Sequence, residues 1–137
     1  MLFELDTSKS FWFNDLHDCE VISMSFCDNL LTMVVDGNHE SVQDYNKEQL
    51  VVELYLAEDY TSKMWEPVTI VGKGIFSKRV TPSLQEFVDL CNSKKYSFEI
   101  INIYCNGNAF CIVGQLNGSR TNRKTIVEIS VSKVIYR

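Results

Sequence analysis

Apolar and polar residues alternate along much of this chain, and turn residues punctuate the alternation. If Asp28-Asn29 forms a tight turn, Phe26 falls opposite Leu31, Met24 opposite Met33, and Ile22 opposite Val35. All six are apolar, while Ser23, Ser25, Thr32 and Val34 take the other face. A slip of one residue would mix the two sets, so pattern and turn position select the same register. Asn106-Gly107 marks a second hairpin, because both residues tolerate the positive φ angles of a type I′ turn. A two-residue turn there sets Cys105 against Asn108 and Ile103 against Phe110. One face then gathers Ile101, Ile103, Cys105, Phe110, Ile112 and Leu116. The other gathers Asn102, Tyr104, Ala109, Cys111, Val113 and Gln115 and is the wetter of the two.

Three further runs read as strands. Leu50, Val52, Leu54 and Leu56 alternate with Val51, Glu53, Tyr55 and Ala57. Val68–Val71 begins another run, interrupted at Gly72-Lys73-Gly74, where glycine points to a bulge, a bend or close backbone approach. The C-terminal run alternates through Val127, Ile129 and Val131, then changes phase to Val134 and Tyr136. An extra residue near Ser132-Lys133 would account for the change. One segment has the helical period instead. Leu84, Phe87, Val88 and Cys91 fall at i, i+3, i+4 and i+7, a single apolar stripe. Thr81 is expected to cap this helix with Pro82 at its first position. Its end is expected near Asn92–Lys95, where Lys94 and Lys95 would meet the negative end of the helix dipole. Asn38–Lys47 is polar and reads as a loop or a short turn of helix. The pattern predicts one mainly β domain over residues 1–137. It would be an antiparallel sandwich or partly open barrel of about seven strands, with one α-helix near 82–92.

Composition narrows the class. A chain of 137 residues suits one domain. Apolar residues make up 45% and charged residues 23%, as in ordinary globular proteins and unlike disordered ones. No run approaches the roughly 20 apolar residues of a membrane-spanning helix. The opening Met1-Leu2-Phe3-Glu4-Leu5-Asp6 lacks the basic and apolar regions of a signal peptide. The net charge of −5 argues against a nucleic-acid partner. Residues 1–93 carry 6 Lys/Arg against 16 Asp/Glu, and residues 94–137 carry 7 against 2. In a folded sheet the two parts interleave, so the asymmetry is expected to average out.

Five cysteines occur at 19, 27, 91, 105 and 111, with no CxxC, so zinc-ribbon and thioredoxin readings fail. Cys105 and Cys111 fall on opposite faces of their hairpin. Cys19 and Cys27 would lie roughly 26 Å apart along one strand, far beyond the ~7 Å limit for a disulfide. All five read as reduced, mostly as small buried apolar residues, which fits a reducing, cytoplasmic compartment.

The densest cluster of reactive side chains is Asn14-Asp15-Leu16-His17-Asp18-Cys19-Glu20. If extended, it would project Asp15, His17 and Cys19 on one side, about 6.6 Å between neighbours. Such a triplet can begin a metal site or a Cys–His nucleophile pair. Zinc needs three or four converging ligands, and only His39-Glu40 offers a second contribution. The favoured reading is a hydrogen-bonded turn through His17 and Asp18 that leads into the first hairpin. Asn117–Lys124 is a polar loop whose Arg120, Arg123 and Lys124 could hold a phosphate, but it lacks the Gly-Lys-Ser/Thr of a P-loop. A solvated loop is the better reading, and Asn117-Gly118-Ser119 is a chance glycosylation match in the absence of a secretion signal. Phe11-Trp12-Phe13 could stack on a sugar or base, or close one end of a β core. Met64-Trp65 has the same two readings. The candidate binding residues are therefore Trp12, Asp15, His17, Asp18, Arg120 and Arg123. No catalytic set, metal or cofactor emerges.

The stretch Phe13-Asn14-Asp15-Leu16-His17-Asp18-Cys19-Glu20-Val21-Ile22 resembles small uncharacterised bacterial proteins. Those carry an aromatic residue, then His-Asp, then a small residue leading into a first β-hairpin. The likeness covers about a dozen residues and implies a bacterial β domain. Some look-alikes sit among antitoxin or immunity-type proteins, from which no functional residue carries over. The expected function is a non-enzymatic protein-interaction module of immunity or regulatory kind, whose acidic surface meets a basic protein partner. One alternative is a small-ligand binder with an apolar cavity lined by aromatics such as Phe11, Trp12 and Phe87. Another is a metal-dependent or Cys/His hydrolase centred on Asp15–Cys19.

Overall fold

A computed structural model describes residues 3–5, 11–12, 16–36, 49–57, 66–72, 78–106 and 109–136. Nine strands and one helix follow one another: β1 (Phe3–Leu5), β2 (Phe11–Trp12), β3 (Cys19–Cys27), β4 (Leu30–Asp36), β5 (Gln49–Leu56), β6 (Val68–Ile70), α1 (Leu84–Asn92), β7 (Ser97–Asn106), β8 (Ala109–Asn117) and β9 (Asn122–Tyr136). The fold is mainly β and every pairing is antiparallel. Seven strands form the path β1-β9-β5-β4-β3-β7-β2; β6 joins β9, and β8 joins both β7 and β9. Because β8 links β7 back to β9, the pairing of β3, β4, β5, β9, β8 and β7 closes into a ring. This single ring-like sheet is nearer the partly open barrel than the sandwich.

The first hairpin forms as its pattern dictates. Asp28 and Asn29 take φ of 51° and 61°, the backbone of a type I′ turn, and Phe26↔Leu31 and Met24↔Met33 pair. Ile22 does not pair with Val35. Val21 does, and the register shifts between Val21 and Ser23. A bulge at Ile22 therefore puts Val21 and Cys19 into the core and leaves Ile22 47% exposed. The second hairpin also departs from expectation. Asn106 pairs with Ala109, and Cys105 with Phe110, so the connection lies at 107–108 rather than 106–107. Its conformation lies outside the described residues. A one-residue shift of the turn moves the pairing by two and keeps each side chain on its face. Ile103, Phe110, Ile112 and Leu116 are accordingly buried. A bulge between Ile100 and Asn102 then brings Ile100 and Phe98 inward in place of Ile101.

Leu50, Val52, Leu54 and Leu56 all face the core. The phase change in β9 is a register shift opposite Tyr55 and Leu56, with Ser132 the extra residue between Val131 and Lys133. Beyond it β9 takes new neighbours. Residues up to Ser130 pair with β8, and residues from Val131 pair with β5 and, at the end, β1. The Gly72 side of the expected interruption is described and Lys73-Gly74 is not; Asn38–Lys47 also lies outside the described residues.

The apolar stripe of α1 is buried as predicted through Leu84, Phe87, Val88 and Cys91. Its cap is Ser83, not Thr81, and Pro82 precedes the cap instead of opening the helix. The Ser83 hydroxyl accepts from the Glu86 N–H at 3.1 Å, and the Glu86 carboxylate accepts from the Ser83 N–H at 3.2 Å. Two orphan donors are satisfied by this box, which Thr81 has no partner to build. The C-cap is Ser93, so Lys94 and Lys95 fall beyond the last turn.

The helix packs where β7 ends. β7 begins at Ser97, and Phe98 already pairs with Val21, so from Ile22 onward no described strand pairs with β3 on that side. α1, immediately upstream of β7, fills the place. Phe87 meets Phe98 edge-on with ring centroids 5.2 Å apart, an arrangement aromatic quadrupoles favour. The Phe98 ring also lies over Gly114. A Cβ at Gly114 would stand 2.5 Å from that ring and 2.6 Å from the Glu99 carbonyl oxygen. Gly114→Ala is therefore expected to cost roughly 1–3 kcal/mol by overpacking. Urea unfolding checks this, and an unchanged midpoint would show that the ring can move aside.

Candidate functional site

The outer face of the β3–β7 contact carries an acidic cleft. β3 and β7 pair through Cys19↔Ile100, Glu20↔Glu99 and Val21↔Phe98. Successive strand residues point to opposite faces, so Cys19, Val21, Phe98 and Ile100 go inward and the two glutamates stand outside, directly opposite each other. Directly opposed strand residues hold their Cβ atoms about 4.5–5.5 Å apart. Asp36 ends β4 one step beyond the Val21↔Val35 pair and joins the same row. Asp18, Cys19, Glu20, Asp36, Ser97, Glu99 and Asn117 line an open cleft of about 400 Å³. Its described lining holds four carboxylates and no cation. Along the row beyond Glu99 come Gln115 and then Lys124, where the acidic stretch ends.

Asp18 lines this cleft, and His17 precedes it in the chain. They do not extend β3. Leu16, fully buried, anchors a short turn, and Asp18 adopts φ 61°, a conformation Asp tolerates better than most residues. The His17 Nδ1 lies 2.9 Å from the Asp18 carboxylate, with both side chains nearly half exposed. The Cys19 thiol turns inward and lies 3.8 Å from the His17 carbonyl oxygen, to which it donates. The turn thus separates His17 from Cys19, which an extended segment would have put on one side. Asp15 and His39 lie outside the described residues. Among those described, no three His, Cys, Asp or Glu side chains gather in a way that could hold a metal.

The other candidates are dispersed. Trp12 sits in β2 opposite Tyr104 of β7. Arg120 is exposed in the β8–β9 turn, which the Gly118 N–H closes by donating to the Thr121 carbonyl at 2.7 Å. Arg123 turns away from that loop. Its guanidinium donates to the Val71 carbonyl at 3.2 Å and the Lys78 carbonyl at 3.1 Å, clasping both ends of the segment between them. Adjacent strand positions send Arg123 and Lys124 to opposite faces, so this loop does not gather its cations around one point. Phe87, expected beside a cavity, is spent on the core. Asp36 and Glu99 were not singled out by sequence reasoning, and Glu20 entered only as the end of the Asn14–Glu20 cluster, because only the pairing of β3 with β4 and β7 brings the three together.

Compared with protein-family models, curated proteins and solved structures, the chain matches none. The likeness around Phe13–Ile22 therefore assigns no family, and the site rests on its own geometry. Among the described residues, no helix is long and apolar enough to cross a membrane.

The cysteines offer little chemistry. Cys19, Cys27, Cys91 and Cys111 are all free thiols. Burial pushes the Cys91 thiol up to about 12, from an ordinary value near 9. Burial first, and the nearby Glu128 charge second, also raise Cys111. A thiol held protonated is a poor nucleophile. The folded pKa of Cys91 lies above the unfolded one, so its contribution to stability is intact below pH 9 and is lost as pH rises towards 12. Stability should fall by about 1.4 kcal/mol per pH unit in that window from this group. The slope should be shallower by that amount in Cys91→Ala, as read by denaturant titration at each pH. The opposed glutamates should cost stability, so Glu20→Gln is expected to gain roughly 0.2–1 kcal/mol at neutral pH and low salt. A loss in the same urea assay would mean that Glu20 is stabilising where it stands.

Proposed function

We propose that this domain is a protein-interaction module whose acidic cleft at the β3–β7 contact receives a basic segment of a partner protein. The observation that carries this reading is the pair Glu20↔Glu99, two like charges directly opposed across strands in a cleft also lined by Asp18 and Asp36. Like charges so placed are unfavourable within the isolated domain. Departures from local consistency of this kind are expected where a sequence serves binding. Arginine or lysine entering the cleft reverses the sign of the interaction and adds charge-assisted hydrogen bonds. Low-dielectric walls focus the field of such a cleft and speed the encounter with a basic partner.

The acidic excess of residues 1–93 enters here through Asp18, Glu20 and Asp36, while Glu99 comes from the otherwise basic remainder. Interleaving of the strands concentrates the negative charge at this place instead of averaging it away. A module that covers a basic surface of its partner fits an immunity or regulatory role.

An arginine-rich peptide tests the reading. The protein should bind it at low salt, more weakly as salt rises, and at least about tenfold more weakly in the variant Glu20→Lys/Glu99→Lys, since close charge pairs carry ~1.5 kcal/mol or more. The control Glu66→Lys/Glu128→Lys changes net charge equally at exposed sites away from the cleft and should bind nearly as the natural protein does. No binding at low salt, or equal losses in both variants, would defeat the proposal.

A further inference from the structure

We propose that the Asn92 side chain stands in for a strand residue on the open edge of β3, and so prevents a second copy of this chain from pairing there. The Met24 N–H donates to Asn92 Oδ1 at 2.9 Å, and Asn92 Nδ2 donates to the Met24 carbonyl at 2.6 Å. One donor and one acceptor directed at the same residue are what a neighbouring strand supplies at a hydrogen-bonded pair. Here they come from one amide at the last residue of α1, 68 positions away along the chain.

The need for this contact follows from the topology. β3 loses its β7 neighbour after Val21↔Phe98, while its other edge stays paired with β4 as far as Cys27↔Leu30. Backbone groups alternate sides along a strand, so those of Met24 point away from β4, towards α1. The uncovered stretch is prone to pairing. Ile22–Cys27 reads Ile-Ser-Met-Ser-Phe-Cys, with neither charge nor proline, and six residues of that kind resemble the segments that stack edge to edge between chains. An antiparallel β3–β3 contact is self-complementary about a two-fold axis, which makes a second copy the natural occupant. Covering an edge with a helix is one of the ways proteins suppress such pairing, and here the cover is tied down by two hydrogen bonds to a single residue.

The test compares the natural protein with Asn92→Ala across a concentration series, by sedimentation and by hydrogen exchange at individual amides. The natural protein should remain monomeric, with a slowly exchanging Met24 amide. In Asn92→Ala at low concentration that amide should exchange roughly tenfold faster. As concentration rises, the mass should increase, the Met24 amide should become protected again and the Phe26 amide should exchange more slowly. An Asn92→Ala protein that stays monomeric throughout would overturn the proposal, as would association that leaves those amides fast. A natural protein that already associates through β3 would also overturn it. Should Asn92→Ala fail to fold, Asn92→Asp is read in the same way. It keeps the acceptor for the Met24 N–H and sets an oxygen against the Met24 carbonyl.

Discussion

The Phe98 ring, held between Gly114 and the edge of Phe87, is the contact on which the rest of this structure depends. It sits where the closing strands of the ring meet. On one side Phe98 pairs with Val21 of β3, and on the other with Leu116 of β8. A side chain at Gly114 would occupy the space of the ring, and without the ring Phe87 of the helix would lose its edge-on partner. The bulge after Ile100 belongs to the same arrangement. It reverses the phase of β7, so that Phe98 and Ile100 point inward on one side of it and Ile103 on the other. Bulges bend strands and increase their twist, which lets a sheet of modest strand number turn back on itself.

The cleft is the outer surface of that contact. Inward-facing Cys19, Val21, Phe98 and Ile100 fix the register of β3 on β7, and the pleat then leaves Glu20 no position except opposite Glu99. Core packing thus holds the carboxylates against their repulsion. The burial of large apolar side chains is worth about 1.5–3 kcal/mol each, while an opposed pair of exposed like charges costs a few tenths to about 1 kcal/mol. The balance lies with the core, and the charges are displayed at little risk to the fold.

Local features were the legible part of the sequence. The Asp28-Asn29 turn, the strand alternation through Leu50–Leu56, the phase change at Ser132 and the stripe of α1 all depend on residues close together in the chain. The errors arose where a local pattern had two solutions. Ile22 and Val21 are both β-branched and apolar, and only the pairing of β3 with β7 selects Val21 for the core. Thr81-Pro82 and Ser83 are both plausible helix starts, and Glu86 decides for Ser83 by returning its carboxylate to the Ser83 N–H. At 106–108 each of two adjacent positions satisfies the same facial alternation, so the pattern could not locate the turn. The candidate site was less legible. His17-Asp18 is local and was visible. Glu20, Asp36 and Glu99 lie on three strands, and nothing in the sequence near any one of them announces the other two.

Two stretches of one edge of β3 serve opposite ends. Near its start, pairing with β7 brings charges together at the cleft, the surface proposed to receive a partner. Further along, where β7 is absent, the uncharged stretch Ile22–Cys27 would attract another chain without discrimination, because backbone hydrogen bonding carries no sequence specificity. A helix and a single amide close that stretch, while Asp18, Glu20 and Asp28 flank it with charge. Recognition at the proposed site would then rest on side chains and not on an open backbone edge. Specificity of this kind needs both parts, an attractive site for the intended partner and a closed edge against the unintended one. In this fold the same short contact between β3 and β7 determines where the first ends and the second becomes necessary.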